Sequence, residues 1–101
     1  MTADELRRSA AAPGGTQPPG LSGALLALWH DARGDWHKAH EAAQADTSAA
    51  GSWVHAYLHR KEGDAGNAAY WYGRSGRPVS RLPLDREWEA VASELLAARG
   101  R

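Results

Sequence analysis

The chain has 101 residues, and its 12 basic and 12 acidic side chains give a formal net charge of zero. Nothing in that balance favours nucleic acid or an anionic membrane as a partner. The absence of cysteine excludes disulfides, thiolate metal sites and a cysteine nucleophile. The chain is long enough for one domain, and residues 1–15 contain no apolar run that could act as a signal peptide or membrane span, so we expect a cytoplasmic protein.

The first 20 residues are predicted to be a flexible arm or linker that precedes an α-helical domain over residues 21–101. The segment Asp4–Ala12 has a short helical pattern. The eight residues from Pro13 to Gly20 contain three prolines and three glycines, a composition that prevents a regular element.

Apolar residues recur at three- and four-residue spacing through the rest of the chain, and no alternating strand pattern is present, which predicts an all-α fold. Gly34 and Gly63 end helices, and the aspartates that follow them cap the next ones. The predicted helices are Gly23–Arg33 capped by Ser22, Trp36–Ala45, Ser52–Glu62, Ala65–Arg74, and a final amphipathic helix that Asp85 caps and that ends by Gly100.

The two Gly-Asp pairs mark an internal repeat of 29 residues. Gly34-Asp35 with Ala39 aligns with Gly63-Asp64 and Ala68, and Tyr72 follows four residues later. In these residues the segment 22–76 resembles the tetratricopeptide and Sel1-like class of helical repeats. The resemblance implies a right-handed stack of two antiparallel hairpins with a C-terminal capping helix, and a role in protein interaction. The run from Trp53 to Tyr72, WVHAYLHRKEGDAGNAAYWY, also resembles the signature of a small family of short bacterial and fungal proteins that carries no assigned activity.

Aromatic and arginine side chains on the third and fourth predicted helices are candidates for a peptide-binding groove. Rigid aromatic rings supply contact area, and arginine recognises carboxylates. The same aromatic rings are also candidates for the core, which alanine-rich helices need, and three consecutive aromatic residues cannot all face one way. The predicted partner-binding residues are Trp53, Tyr57, Arg60, Tyr70, Trp71 and Arg74.

His55, His59 and Glu62 share the opposite stripe of the third predicted helix, at positions i, i+4 and i+7. Two imidazoles one turn apart with a carboxylate beyond them can bind a divalent metal such as zinc. The alternative is that these histidines are partly buried and structural. No glutamate follows His55, so the zinc-peptidase motif HEXXH is absent.

Two further groups of polar residues are interpreted as solvated. His37, His40 and Glu41 are expected on an exposed face of the second predicted helix. The basic run of Arg74, Arg77 and Arg81 suits a phosphate or an acidic peptide, or else forms a solvated loop.

The sequence therefore predicts a small, non-catalytic interaction module that needs no cofactor and binds a protein, a peptide or a second copy of itself. The alternative is a metal-binding protein or metal-dependent enzyme that uses His55, His59 and Glu62.

Overall fold

In a computed structural model, which describes residues 1–21 and 23–99, the chain folds into six α-helices, and these residues contain no strand. The all-α prediction is confirmed. The predicted cap Ser22 and the predicted helix end at Gly100 lie outside the described residues. The helices are α1 (Ala3–Ala11), α2 (Gly23–Ala32), α3 (Trp36–Ala45), α4 (Ala49–Lys61), α5 (Ala65–Ser75) and α6 (Leu84–Arg99).

The two Gly-Asp corners have the same geometry. Gly34 and Gly63 adopt left-handed backbone conformations, with φ of +83° and +89°. At the first corner the amide of Asp35 donates to the carbonyl of His30 at 3.0 Å, and the equivalent bond at the second corner is 2.9 Å. This six-residue closure is the Schellman arrangement, which glycine adopts without a steric penalty.

The aspartate after each glycine begins the next helix in the same way. The side chain of Asp35 accepts a hydrogen bond from the amide of Lys38, and that of Asp64 accepts one from the amide of Asn67, both at 3.1 Å. Each corner thus ends one helix and caps the next within three residues, and α2 packs against α3 as α4 packs against α5. The two predicted helical hairpins are present.

Small residues lie where the helices of each hairpin cross. Ala39 on α3 and Ala68 on α5 occupy equivalent repeat positions, and both are buried. Ala27 on α2 and Ala56 on α4 are likewise equivalent and buried. Alanine allows the helix backbones to approach closely, which explains why the repeat keeps small residues at these positions.

Helix α4 begins three residues before the predicted start at Ser52. Ser48, which we interpreted as part of a break, is its N-cap and accepts a hydrogen bond from the amide of Gly51. A Cβ atom at Gly51 would lie 2.0 Å from the carbonyl oxygen of Asp46. Glycine is therefore required at this position for the first turn of α4 to pack against the preceding loop.

The N-terminal segment differs from the predicted flexible arm. Residues 3–11 form α1, which Thr2 and Glu5 begin with a reciprocal capping box. The side chain of Leu6 is 0% exposed and belongs to the main core, and α1 packs against α2 and α6. Ala3, Leu6 and Ala10 form its buried stripe, which the prediction of a flexible arm did not include.

Helix α6 closes the side of the two hairpins by contacting α1, α2 and α4. The indole nitrogen of Trp88 donates to the carbonyl of Leu28 at 3.0 Å. The carboxylate of Glu87, which is buried, accepts hydrogen bonds from the hydroxyl of Tyr72 and from Arg60, the latter at 2.7 Å. Asp85, the predicted cap, lies in the first turn of α6. None of the helices in the described part of the chain is long and apolar enough to cross a membrane.

Candidate functional site

Three imidazoles meet where α3 packs against α4. His40 lies on α3, and His55 and His59 lie one turn apart on α4. Nε2 of His55 is 2.9 Å from Nε2 of His40, and each ring offers a nitrogen within 4.8 Å of those of the other two. His55 and His59 are buried, and His40 is partly buried. We call these three residues the histidine cluster.

Tryptophan rings cover two sides of the histidine cluster. Trp36, one turn before His40 on α3, stacks on His40 with ring centroids 4.9 Å apart. On the other side, Trp71 of α5 stacks on His55 at 3.9 Å. The indole nitrogen of Trp36 donates to the carbonyl of Leu58 at 3.0 Å, which fixes the indole against α4. Helices α3, α4 and α5 therefore all contribute to a preformed, largely apolar surrounding for the cluster.

The electrostatics of the cluster favour neutral imidazoles. Burial, followed by the neighbouring His40 and His59, lowers the pKa of His55 to about 4. Burial and the proximity of His59 also lower the pKa of His40 below its ordinary value. These shifts favour the uncharged form of both rings at neutral pH. In the 2.9 Å contact between them, one Nε2 carries the proton and donates it, and the other accepts with its lone pair.

A carboxylate orients one of the three rings. Nδ1 of His59 lies 2.5 Å from Oε1 of Glu62, one turn further along the chain. Asp64 is close enough to form a second group with these two residues. A histidine whose Nδ1 is held by a carboxylate presents Nε2 as its free nitrogen, which is the arrangement that commonly supports metal-binding histidines.

The structure brings together only part of the predicted metal set. His55 and His59 share a cluster, but its third member is His40, which we placed on a solvated face, whereas Glu62 groups with His59 and Asp64 and not with His55. His37 and Glu41 are exposed as predicted. The signal for His40 was its position one turn after Trp36, on the stripe that also includes the buried Ala43.

Two of the six predicted partner-binding residues make contacts inside the domain instead of forming a binding surface. Tyr57 is only 2% exposed, and its hydroxyl donates to the buried carboxylate of Asp31 at 2.7 Å. Burial raises the pKa of Tyr57, and the negative charge of Asp31 raises it further. Arg60 forms an ion pair with the buried Glu87. Tyr57 therefore cannot contribute a binding surface, and the guanidinium of Arg60 is already engaged.

Three other predicted residues lie together on α5. The side chain of Tyr70 is 55% exposed, and its hydroxyl accepts a hydrogen bond from Arg74 at 3.3 Å. The guanidinium of Arg74 lies over the indole of Trp71, 5.6 Å from the ring centroid. We call Tyr70, Trp71 and Arg74 the α5 patch. Because Trp71 also stacks on His55, this patch directly adjoins the histidine cluster.

Trp53, the sixth predicted residue, belongs to a different surface. The guanidinium of Arg77 lies 3.9 Å from the centroid of its ring. Trp53 and Arg77 line a cleft between α4, α6 and the loop at residues 77–82. Val79 and Leu82 are exposed beside them and were not among the predicted residues, because only the arginines of this loop suggested binding.

Comparisons with known proteins identified no relative. No protein-family model matches the chain, and no curated protein or solved structure is significantly similar to it. Function is therefore inferred from the geometry of the histidine cluster, the α5 patch and the cleft beside Trp53.

Proposed function

We propose that this protein binds a divalent transition metal ion, with zinc as the first candidate, through His40, His55 and His59. The observation that supports the proposal best is the convergence of three imidazole nitrogens within 4.8 Å of one another on two packed helices. Glu62 would act as the outer partner of His59.

The spacing of the nitrogens suits a tetrahedral metal. A zinc–nitrogen bond of about 2.0–2.1 Å at tetrahedral angles places two ligand nitrogens about 3.3 Å apart. The Nε2 atoms of His40 and His55 are 2.9 Å apart and hydrogen-bonded to each other, so binding of the ion would replace that hydrogen bond and widen the spacing slightly. Three protein ligands leave a fourth position for water or another donor.

The donor types narrow the choice of metal. Neutral imidazole suits zinc, copper, nickel and iron, whereas calcium and magnesium prefer oxygen ligands. With no cysteine in the chain, a thiolate site is excluded. The low pKa of His55 means that protons compete weakly for that ring at neutral pH.

Isothermal titration calorimetry of the metal-free protein with Zn²⁺ tests the proposal. We expect one ion per chain and a higher melting temperature, because an ion that binds only the folded state stabilises it by about 2.7 kcal/mol at a hundredfold excess over Kd. Cobalt substitution should produce the visible absorption of a tetrahedral site.

The matched variants are His55→Gln and His37→Gln. Loss of even an outer partner lowers metal affinity by about 10–100-fold, so loss of His55 should lower it by about 100-fold or more. His37 lies on α3 outside the cluster and is exposed, so its variant should bind as the unaltered protein does. Absence of heat with micromolar protein, together with an unchanged melting temperature, would refute metal binding.

We also propose, as a second function, that the α5 patch docks a protein or peptide partner, including a second copy of the chain. The observation in its favour is the exposed phenol of Tyr70 beside the guanidinium of Arg74. Aromatic rings next to arginine are enriched among the residues that contribute most to binding energy at interfaces. The tetratricopeptide-like hairpins are consistent with such a role, which the resemblance implied.

Light scattering tests the self-association form of this second function. We expect the mass of a dimer at high micromolar concentration and a monomer for Tyr70→Ala. Because Tyr70 is exposed, this variant should keep its helicity. A monomeric mass for the unaltered chain at that concentration would refute self-association. If Tyr70→Ala captured the same partner as the unaltered chain, docking at the α5 patch would be refuted.

A further inference from the structure

A cleft of about 490 Å³ lies between the loop at residues 77–82 and helices α4 and α6, apart from the histidine cluster. Its volume falls in the range of about 300–1,000 Å³ that is typical of small-molecule sites. The apolar residues that line it are Trp53, Pro78, Val79, Leu82, Ala90 and Val91.

The wall of this cleft is held in place before any ligand arrives. At one end of the loop, Arg60 donates a hydrogen bond to the carbonyl of Leu82 at 2.6 Å. At the other end, Arg77 forms an ion pair with Glu94 on α6. Pro78 and Pro83 further restrict the backbone. Ordering of the loop would therefore cost little free energy when a ligand binds, as expected for a preformed site.

The apolar wall is exposed to water. Val79 is 53% exposed and Leu82 is 47% exposed, and they are two of the largest exposed apolar side chains in the described part of the chain. Neither side chain contributes to the described core clusters. An apolar ligand that covers this surface removes it from water, and the favourable transfer free energy rises with the area covered.

The polar groups of the cleft are predominantly cationic. Arg81 lines it and forms no ion pair with any residue in 1–21 or 23–99. Arg77 lies over the ring of Trp53 at the same site, but its guanidinium is already paired with Glu94, so Arg81 is the cation that remains for a ligand. The carboxylate of Glu87 also lines the cleft but is already satisfied by Arg60 and Tyr72. The free charge that faces a ligand is therefore positive.

We infer that this cleft binds a small organic anion with an apolar body, such as an aryl or alkyl carboxylate or sulfonate. The apolar body lies against Val79, Leu82 and Val91, and the anionic group pairs with the guanidinium of Arg81. Arginine is suited to this task because its planar donors match a carboxylate or sulfonate and remain charged at every physiological pH.

The probe for this inference is 1-anilinonaphthalene-8-sulfonate, which combines an aromatic body with a sulfonate. Titration of the natively folded chain at pH 7 should show saturable binding of one probe molecule, with energy transfer from tryptophan to the bound probe. Its uncharged analogue N-phenyl-1-naphthylamine should bind at least about tenfold more weakly, because it lacks the charge-assisted contact with the guanidinium.

Three variants locate the probe. Arg81→Gln should weaken binding by about tenfold, and Val79→Asp should abolish it by placing a like charge and a polar group in the wall. Arg86→Gln removes the same charge from an exposed position of α6 outside the cleft, and it should bind as the unaltered protein does. Near-ultraviolet circular dichroism confirms that each variant retains its tertiary packing.

Three results would overturn the inference. If Arg81→Gln and the unaltered chain bind the sulfonate equally, or if the uncharged analogue binds as tightly as the sulfonate, the anionic group makes no contact in this cleft. If Arg86→Gln loses as much affinity as Arg81→Gln, the probe senses only overall charge. Any of these results rejects the site independently of whether the histidine cluster binds metal.

Discussion

The imidazole of His55 and the indole of Trp71 lie face to face, with ring centroids 3.9 Å apart and planes inclined by 17°. This contact joins the histidine cluster to a second, smaller core cluster. There Trp71 packs against buried residues of α4 and α5, which are Ala56, Ala68 and Tyr72. Trp71 thus has one face toward the interior and the other toward Arg74. A single side chain connects the proposed metal site with the proposed docking patch.

The first prediction separates the two roles of adjacent aromatic residues. Trp71→Ala should lower the free energy of unfolding by about 2 kcal/mol, less than the 3–5 kcal/mol of a fully buried tryptophan, because the ring is only partly covered. Tyr70→Ala should change it by less than about 0.5 kcal/mol, since Tyr70 is exposed. Urea unfolding followed by circular dichroism measures both, and equal losses would contradict the assignment of Trp71 to the interior.

The second prediction concerns the pH dependence of stability in metal-free protein. The folded pKa of His55, about 4, lies below the value of 6.5 for the unfolded chain. As pH falls, the unfolded state therefore takes up the proton first, and the free energy of unfolding decreases between about pH 6.5 and 4 and levels off below. Each pKa unit of difference between the folded and unfolded states corresponds to about 1.4 kcal/mol, so the free energy of unfolding falls by at most about 3 kcal/mol.

Titratable and aromatic groups surround His55 from each helix packed on it: His40 from α3, His59 from α4 and Trp71 from α5. The lowered pKa of His40 contributes to the pH dependence in the same direction. Urea unfolding in EDTA at pH 7, 5.5 and 4.5 measures the decrease. His55→Gln should flatten it and His37→Gln should not, so a similar slope in all three proteins would rule out the cluster as its source.

The third prediction tests the two hairpin corners. Gly34→Ala and Gly63→Ala should each cost about 1–2 kcal/mol, the penalty for an L-residue in the left-handed region. A Cβ atom at either position meets nothing within 4 Å, so the cost is one of backbone conformation and not of crowding. The control is Gly73→Ala within α5, which meets nothing either and should raise stability by about 0.8–1 kcal/mol. Thermal unfolding of the three variants measures the contrast, and a neutral Gly63→Ala would argue against the left-handed corner.

The fourth prediction tests the position of α1. Because Leu6 is fully buried, Leu6→Ala should destabilise the protein by about 2–5 kcal/mol. The same substitution at Leu82, which is about half exposed, should cost less than about 1 kcal/mol. Guanidinium unfolding compares the two, and an unchanged midpoint for Leu6→Ala would restore the expectation of a flexible N-terminal arm.

The local devices of this fold were predictable from the chain itself. A glycine in the left-handed region and an aspartate cap act within five or six residues, so Gly34-Asp35 and Gly63-Asp64 predicted both corners, although α4 begins three residues before its predicted start. The buried alanines at the crossings follow from the repeat that these corners define. Helix α1 was harder to predict from the sequence. A nine-residue helix with a narrow apolar stripe is only marginally stable in isolation and becomes stable when it packs against α2 and α6.

The candidate site depended on tertiary packing. The four-residue spacing of His55 and His59 placed these two rings on one stripe, but only the packing of α3 on α4 brought His40 to 2.9 Å from His55 and beside His59. The same packing decided which aromatic rings are buried: Tyr57 meets the carboxylate of Asp31, whereas Tyr70 faces solvent. The physical reason is that helical periodicity defines which residues share a face, while the neighbour that a face meets is set by the way distant segments bury their apolar surface together.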